Sequence, residues 1–181
     1  MESGSYLLDA KRMDLTLRRL CHQLIENYDQ FEDTCIIGIQ NRGGFLSDRI
    51  QKVLKELKYD KFLYGKLDIT FYRDDFRTRE QPLAAHETQI DFLVEDKKVI
   101  LVDDVLFTGR TVQAALTALQ HFGRPKEVEL LVLVDRRFHR QLPLEADYVG
   151  VQVDALDDAY VKVEWDHMNG ADAVKFFSAK Q

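Results

Sequence analysis

Apolar residues at Met13, Leu17, Leu20, Cys21, Leu24 and Tyr28 recur at three- and four-residue steps. That spacing predicts an amphipathic helix, with Asp9 placed to cap it and Arg18, His22 and Glu26 on another face. Cys35, Ile36, Ile37 and Ile39 then form a short apolar run that predicts a core strand. Beyond a glycine-rich stretch, Phe45, Leu46, Ile50, Val53, Leu54 and Leu57 mark a second helix, and alternation from residue 63 to 71 predicts another strand. Periodicity then disappears. Residues 73–88 carry Arg73, Asp74, Asp75, Arg77, Arg79, Glu80 and Pro82, as a loop or flap would. Val99, Ile100, Leu101 and Val102 predict a strand covered on both faces, which Asp103 and Asp104 are expected to end. A helical pattern at Val112, Ala115, Leu116, Leu119 and Phe122 closes at Gly123 and Pro125, and residues 128–134 give another buried strand.

Strands alternating with helices predict an α/β fold with a largely parallel central sheet flanked by helices. No Pro/Gly/Ser linker or internal repeat divides the 181 residues, so one domain over 1–181 is expected. The net charge of −6 gives no overall field attracting nucleic acid or an acidic membrane. Cys21 and Cys35 have no metal-like companions and read as reduced, buried thiols. The absence of a leader-like segment or a long apolar run leads to the expectation of a cytoplasmic chain with no membrane partner.

The densest chemistry lies at Asp103-Asp104-Val105-Leu106-Phe107-Thr108-Gly109-Arg110-Thr111. Carboxylates accept hydrogen bonds from vicinal hydroxyls or hold a hydrated cation, whereas a Thr-Gly-Arg-Thr turn opening a helix donates to an anion. A ribose 5-phosphate satisfies both halves. A glycine loop at residues 38–44, with Arg42 as its cation, also sits between a strand and a helix, and Arg136 and Arg137 follow a third strand. Open α/β sheets place ligands outside the carboxyl ends of their strands, so the three ends are expected to converge.

The segment 99–111 resembles the phosphoribosyl diphosphate (PRPP) motif of the type I phosphoribosyltransferases. Asp68-Ile69-Thr70-Phe71-Tyr72-Arg73-Asp74-Asp75, Gly38-Ile39-Gln40-Asn41-Arg42-Gly43 and Leu133-Val134-Asp135-Arg136 extend the resemblance, over residues 6–177, to the PyrR-type branch of pyrimidine regulators that are also uracil phosphoribosyltransferases. The resemblance implies the type I fold with a flexible flap near 73–88 and a small hood near 135–155, and transfer of a phosphoribosyl group from PRPP to a pyrimidine, uracil by family. It assigns catalysis to Asp103, Asp104, Arg42 and Arg77. Substrate binding falls to Asn41, Arg42, Gly43, Asp103, Asp104, Leu106, Phe107, Thr108, Gly109, Arg110, Thr111 and Arg136. Mg²⁺ is implied as cofactor, held at Asp103 and Asp104 through water. A homo-oligomer is implied too, with Tyr72, Phe76 and Phe138 as apolar candidates for its contacts.

Two stretches depart from the family pattern. Asp135-Arg136-Arg137-Phe138-His139-Arg140-Gln141-Leu142-Pro143 is one residue longer than its usual counterpart, and Val151-Gln152-Val153-Asp154-Ala155 replaces the customary Lys-Asn-Ile-Pro-Thr. Phe107 stands where hypoxanthine-guanine transferases place an acidic residue, which leans away from a 6-oxopurine substrate. Arg19, His22, His139 and Arg140 match positions of an RNA-facing surface in regulatory relatives. Asn27, Asn41 and Glu145 oppose that reading, standing where such relatives tend to carry Arg, Thr and Arg. RNA is therefore the less favoured partner, and a PRPP-binding protein without turnover is a third alternative. As a water-excluding flap, residues 73–88 would close over the leaving pyrophosphate through Arg77 and Arg79, with Asp68 and Arg73 anchoring the strand before them. Deleting residues 74–86 is expected to abolish transfer while leaving the thermal unfolding transition intact; unchanged turnover would refute the gating role.

Overall fold

The computed structural model describes residues 4–73, 87–155 and 159–178. Five strands form a wholly parallel sheet in the order β3-β2-β4-β5-β6: β2 (Thr34–Ile39), β3 (Leu63–Leu67), β4 (Lys98–Leu106), β5 (Glu127–Arg137) and β6 (Tyr148–Asp154). Helix α2 (Arg42–Glu56) connects β2 to β3, and α3 (Arg110–Leu119) connects β4 to β5. Helix α1 (Ala10–Tyr28) starts where Asp9 accepts a hydrogen bond from the Arg12 amide, and packs with α2. The expected α/β architecture, a parallel central sheet flanked by helices, is what the chain forms.

Because successive strand side chains point to opposite faces, each apolar strand feeds two cores. Ile36, Ile100, Val102, Leu131 and Leu133 join Met13, Leu17, Leu24, Leu46 and Leu54 beneath α1 and α2. Ile37, Val99, Leu101, Leu130 and Val132 join Val112, Ala115 and Leu119 beneath α3. Cys21 and Cys35 are free and buried, one in each core.

A second, antiparallel sheet is built from the two ends of the chain: β1 (Ser5–Leu8), β8 (Ala173–Phe177) and β7 (Tyr160–Glu164), in the order β1-β8-β7. A short helix, α4 (Asp166–Asn169), joins β7 to β8. Trp165, almost wholly buried, sets its ring edge-on against Phe45 of α2. Arg49 of α2 pairs with Asp166 at 2.5 Å and Asp172 at 3.3 Å, so packing and charge both bind the small sheet to the helix whose first turn lies at the strand ends.

Three boundaries differ from the sequence expectation. The strand expected to reach residue 71 stops at Leu67, because Asp68 turns its carboxylate back to accept from the Thr70 amide at 3.0 Å and the Thr70 hydroxyl at 2.6 Å, starting a 3-10 turn at Thr70–Tyr72. Asp103 and Asp104 do not end β4, because β5 runs beside it as far as the Leu106–Asp135 pair. The hood expected at 135–155 is divided: residues 135–137 finish β5, residues 148–154 are the edge strand β6, and only the intervening loop leaves the sheet. Arg77, Arg79, Phe76 and nearly all of the expected flap lie outside the described residues. Its return is tied down, with Gln89 exchanging backbone hydrogen bonds with Lys66 and Gln40 donating to the Glu87 carbonyl at 2.5 Å.

Gly43 decides how closely α2 can approach β4. A Cβ there would lie 2.4 Å from the Val102 carbonyl oxygen and 2.9 Å from the Asp103 Cα, both backbone atoms without a rotamer to move. Gly43→Ala is expected to lower stability by about 1–3 kcal/mol, read as a reduced urea midpoint at unchanged slope; an unaltered midpoint would refute the close-packing argument.

Candidate active site

Pairing along β4 is asymmetric at its carboxyl end. Its contact with β2 finishes at the Gly38–Val102 pair, whereas its contact with β5 continues to Leu106. Asp103 and Asp104 therefore lie one and two residues past the last pair that β4 makes with β2. The glycine loop after β2 contains a cis peptide between Gln40 and Asn41. Both carboxylates are buried, at 6% and 7% exposure.

Alternation sends them to opposite faces. Asp103 follows Leu101 towards α3 and lines a cleft of ≈180 Å³ with Arg73, Phe107, Thr108, Gly109 and Thr111. Asp104 follows Val102 towards α2, where Arg42 Nη1 stands 4.0 Å from its Oδ2. Burial and the neighbouring Asp104 charge push the Asp103 carboxyl well above the usual carboxylate range, against the pull of the Asp104 amide, which donates to Asp103 Oδ1 at 2.9 Å, and of Arg73. Burial likewise pushes Asp104 up to about 6, with Arg42 pulling the other way.

The rest of the site comes from chain starts and turns. Asn41 is the residue before α2, Arg42 and Gly43 are its first helical positions, and Arg42 also donates to the Val163 carbonyl of β7 at 3.3 Å. Leu106 closes β4, and the turn from Phe107 to Gly109 leads into α3, with Gly109 at φ +92°, a left-handed conformation natural to glycine. Arg110 and Thr111 open that helix. Arg136, buried near the end of β5, lays its guanidinium over the Phe107 ring at 3.8 Å and donates to the Ala159 carbonyl at 2.6 Å. Its Nε is buried without a hydrogen-bond acceptor among the described residues.

The structure thus brings together residues 41–43, 103–104, 106–111 and 136 around three strand ends. The residues expected on an RNA-facing surface are distributed differently. His22 is exposed on α1, but Arg19 on the same helix donates to the Val149 and Gly150 carbonyls at 3.2 and 2.6 Å. His139 sets its ring edge-on to Phe107, and Arg140 pairs with Asp135 at 2.5 Å and donates to the Phe107 carbonyl. Sequence reasoning missed Gln141, Leu142, Leu144 and the carbonyls of Ala159 and Val163, because a backbone acceptor or a loop contact carries no residue-type signature. The extra residue in the stretch 135–143 was the available signal.

With this geometry in view, comparison with known proteins defines the class. The phosphoribosyl transferase domain family matches residues 3–167. The chain is 47% identical to the bifunctional protein PyrR of Caldicellulosiruptor bescii over 84% of each chain, and 46% identical to that of Clostridium novyi over 98% of this chain and 99% of that one. It belongs to the PyrR family of phosphoribosyltransferases. Among solved structures, the hypoxanthine phosphoribosyltransferase of Trypanosoma cruzi superposes with a TM-score of 0.73 at 15% identity, covering 98% of both chains. That of Staphylococcus aureus gives 0.68 at 20% identity, covering 97% of this chain and 92% of that one. At such identities they establish the shared fold.

The raised carboxylates make stability depend on pH. The folded state holds these protons more tightly than the unfolded chain, so their contribution is fully present below the ordinary Asp value of 3.8, and the Asp104 part is lost as pH rises through about 6. In ligand-free protein with a chelator, unfolding free energy is expected to fall across that window. Asp104→Asn is expected to flatten the fall and to gain on the order of 2 kcal/mol at pH 7. An identical pH dependence in the variant would refute the desolvation argument.

Proposed function

We propose that the chain joins a pyrimidine base, uracil, to PRPP, giving the nucleoside 5′-monophosphate and pyrophosphate. A ring nitrogen of the base attacks C1 of the ribose with inversion, the new N–C1 bond replacing the C1–oxygen bond to the departing diphosphate, and the proton lost from that nitrogen passes to water or to the diphosphate. The observation that carries this reading is the placement, at one strand end, of two buried carboxylates, an amide-rich turn and a buried arginine stacked on Phe107. Asp103 and Asp104 would accept from the ribose hydroxyls. The turn from Leu106 to Thr111 would hold the 5-phosphate through backbone N–H groups and the threonine hydroxyls. Asn41, Arg42 and Gly43 at the start of α2 would receive the diphosphate, and Arg42 would stabilise the charge it gains on leaving. Arg77 would act from the flap.

The residues present fit Mg²⁺. Asp103 and Asp104 are adjacent, acceptor-only carboxylates, and no group of three or more His, Cys, Asp or Glu side chains among the described residues forms a protein-only cage. Two carboxylates suit an ion that keeps its waters and takes its remaining oxygens from phosphate groups. Bound there through water, Mg²⁺ would neutralise charge on the diphosphate.

Uracil is supported at the base end. Phe107 offers no carboxylate to a purine ring, and beside it Arg136 holds a buried Nε with no acceptor among the described residues, a donor suited to a carbonyl. RNA regulation, which the PyrR resemblance implies, finds less support: Arg19 and Arg140 spend their donors on carbonyls and Asp135. A 6-oxopurine reading rests on fold likeness alone. Among the described residues no helix is long and apolar enough to cross a membrane.

The test is pyrophosphate release from PRPP and Mg²⁺ with uracil, orotate, hypoxanthine, guanine or adenine. Release with uracil is expected, with kcat/KM about 100-fold lower in Asp104→Asn. Release with hypoxanthine or guanine instead would overturn the pyrimidine assignment, and silence with every base would overturn the enzymatic one.

A further inference from the structure

The loop after β5 closes on the turn that opens α3. The Arg140 guanidinium donates to the Phe107 carbonyl and, at 2.5 Å, to Asp135 Oδ1. Next to it, the Gln141 amide donates to the Thr108 carbonyl at 3.0 Å, and Arg110 Nε donates to Gln141 Oε1 at 2.5 Å. Leu142 and Leu144 pack close beneath Gly109, where a Cβ would meet them at 3.3 and 3.2 Å. None of these loop residues lines the ≈180 Å³ cleft, whose wall on that side is Phe107, Thr108 and Gly109 themselves. The turn therefore stands between the loop and the cleft.

In a trans peptide the carbonyl and the following N–H point in opposite directions, and both peptides here are trans. Holding the Phe107 carbonyl towards the loop turns the Thr108 N–H away from it. Holding the Thr108 carbonyl there does the same for the Gly109 N–H. Two donors are thus aimed at the cleft by groups that never enter it.

We propose that Arg140 is a positioning residue for phosphoribosyl transfer, acting through the Phe107 carbonyl to aim the backbone donors of the turn at the 5-phosphate. The proposal rests on the phosphoribosyltransferase reading above and extends it to a residue outside the cleft. Asp135, itself buried, fixes the guanidinium by a charge-assisted bond, leaving a second nitrogen for the carbonyl. A lysine could not serve both acceptors with one fixed fork. The loop's additional residue, unexplained by the family pattern, lies in the stretch that makes this clasp.

Calorimetric titration with ribose 5-phosphate, together with steady-state kinetics for PRPP and uracil, tests the clasp in wild type, Arg140→Gln and Arg140→Lys. In Arg140→Gln the Kd for ribose 5-phosphate and the KM for PRPP are expected to rise at least tenfold, as loss of aligned donors to a charged group would produce, with kcat and the KM for uracil changing less than threefold. Arg140→Lys, which keeps the ion pair with Asp135, is expected to show a smaller rise of the same kind. Should Arg140→Gln lose its cooperative thermal transition, the lysine variant decides. Wild-type ribose 5-phosphate affinity in the folded variants overturns the clasp and leaves the transferase reading standing. A parallel rise in both KM values with a lowered Tm assigns Arg140 a merely structural role and also overturns it. A wild-type protein that neither binds ribose 5-phosphate nor releases pyrophosphate from PRPP overturns both readings.

Discussion

Two carboxylates on consecutive residues of a buried strand form the constraint around which the site is arranged. Charge removed from water is costly unless it is paired and hydrogen-bonded, and like charges on neighbouring residues add to that cost. Asp103 and Asp104 are relieved only in part. One accepts from its neighbour's amide and feels Arg73; the other has Arg42 4.0 Å away. The raised proton affinities record the remainder. On the proposed reading, vicinal hydroxyls or a hydrated cation would supply the remaining partners.

That constraint propagates into the surrounding elements. β2 must leave β4 before it would cover the carboxylates: their pairing stops at Gly38 and Val102, and β2 itself ends at Ile39. The helix that follows must come close without a side chain between it and β4, which Gly43 permits. Arg42 must face both the carboxylate and solvent, and its second contact, to the Val163 carbonyl, binds it to the small sheet. Trp165 against Phe45 and Arg49 against Asp166 and Asp172 hold that sheet in place by packing and by charge. A sheet made of the chain's two ends thereby supports a first helical turn far away in sequence.

On the other side of β4, the extended β5 carries Asp135 and Arg136 to the same level. Their partners divide the labour: Arg136 covers the Phe107 ring, and Asp135 anchors the arginine that holds the Phe107 carbonyl. Phe107 is thus gripped by ring and backbone at once, at the junction of the carboxylates and the turn that opens α3. Cation–π contact and charge-assisted hydrogen bonds of this kind gain strength where water is excluded.

Local pattern was sufficient for much of this. The helices beginning near Ala10, Arg42 and Arg110, the buried runs of β2, β4 and β5, the parallel α/β class and the convergence of residues 41–43, 103–111 and 136 were all legible, because periodicities of 3.6 and 2 and the punctuation of glycine and proline are properties of neighbouring residues. Strand ends were not. β4 runs past its aspartates because β5 accompanies it, and the stretch from Leu63 breaks at Asp68 because one carboxylate prefers its own backbone. The division of residues 135–155 between β5, a loop and β6, and the small sheet of β1, β8 and β7, depended on pairings between segments up to the whole chain apart. The sequence by itself determined which chemical groups meet at the strand ends; the tertiary structure decided how they face one another, because hydrogen bonds between distant strands and to backbone carbonyls leave no mark on the residues that make them.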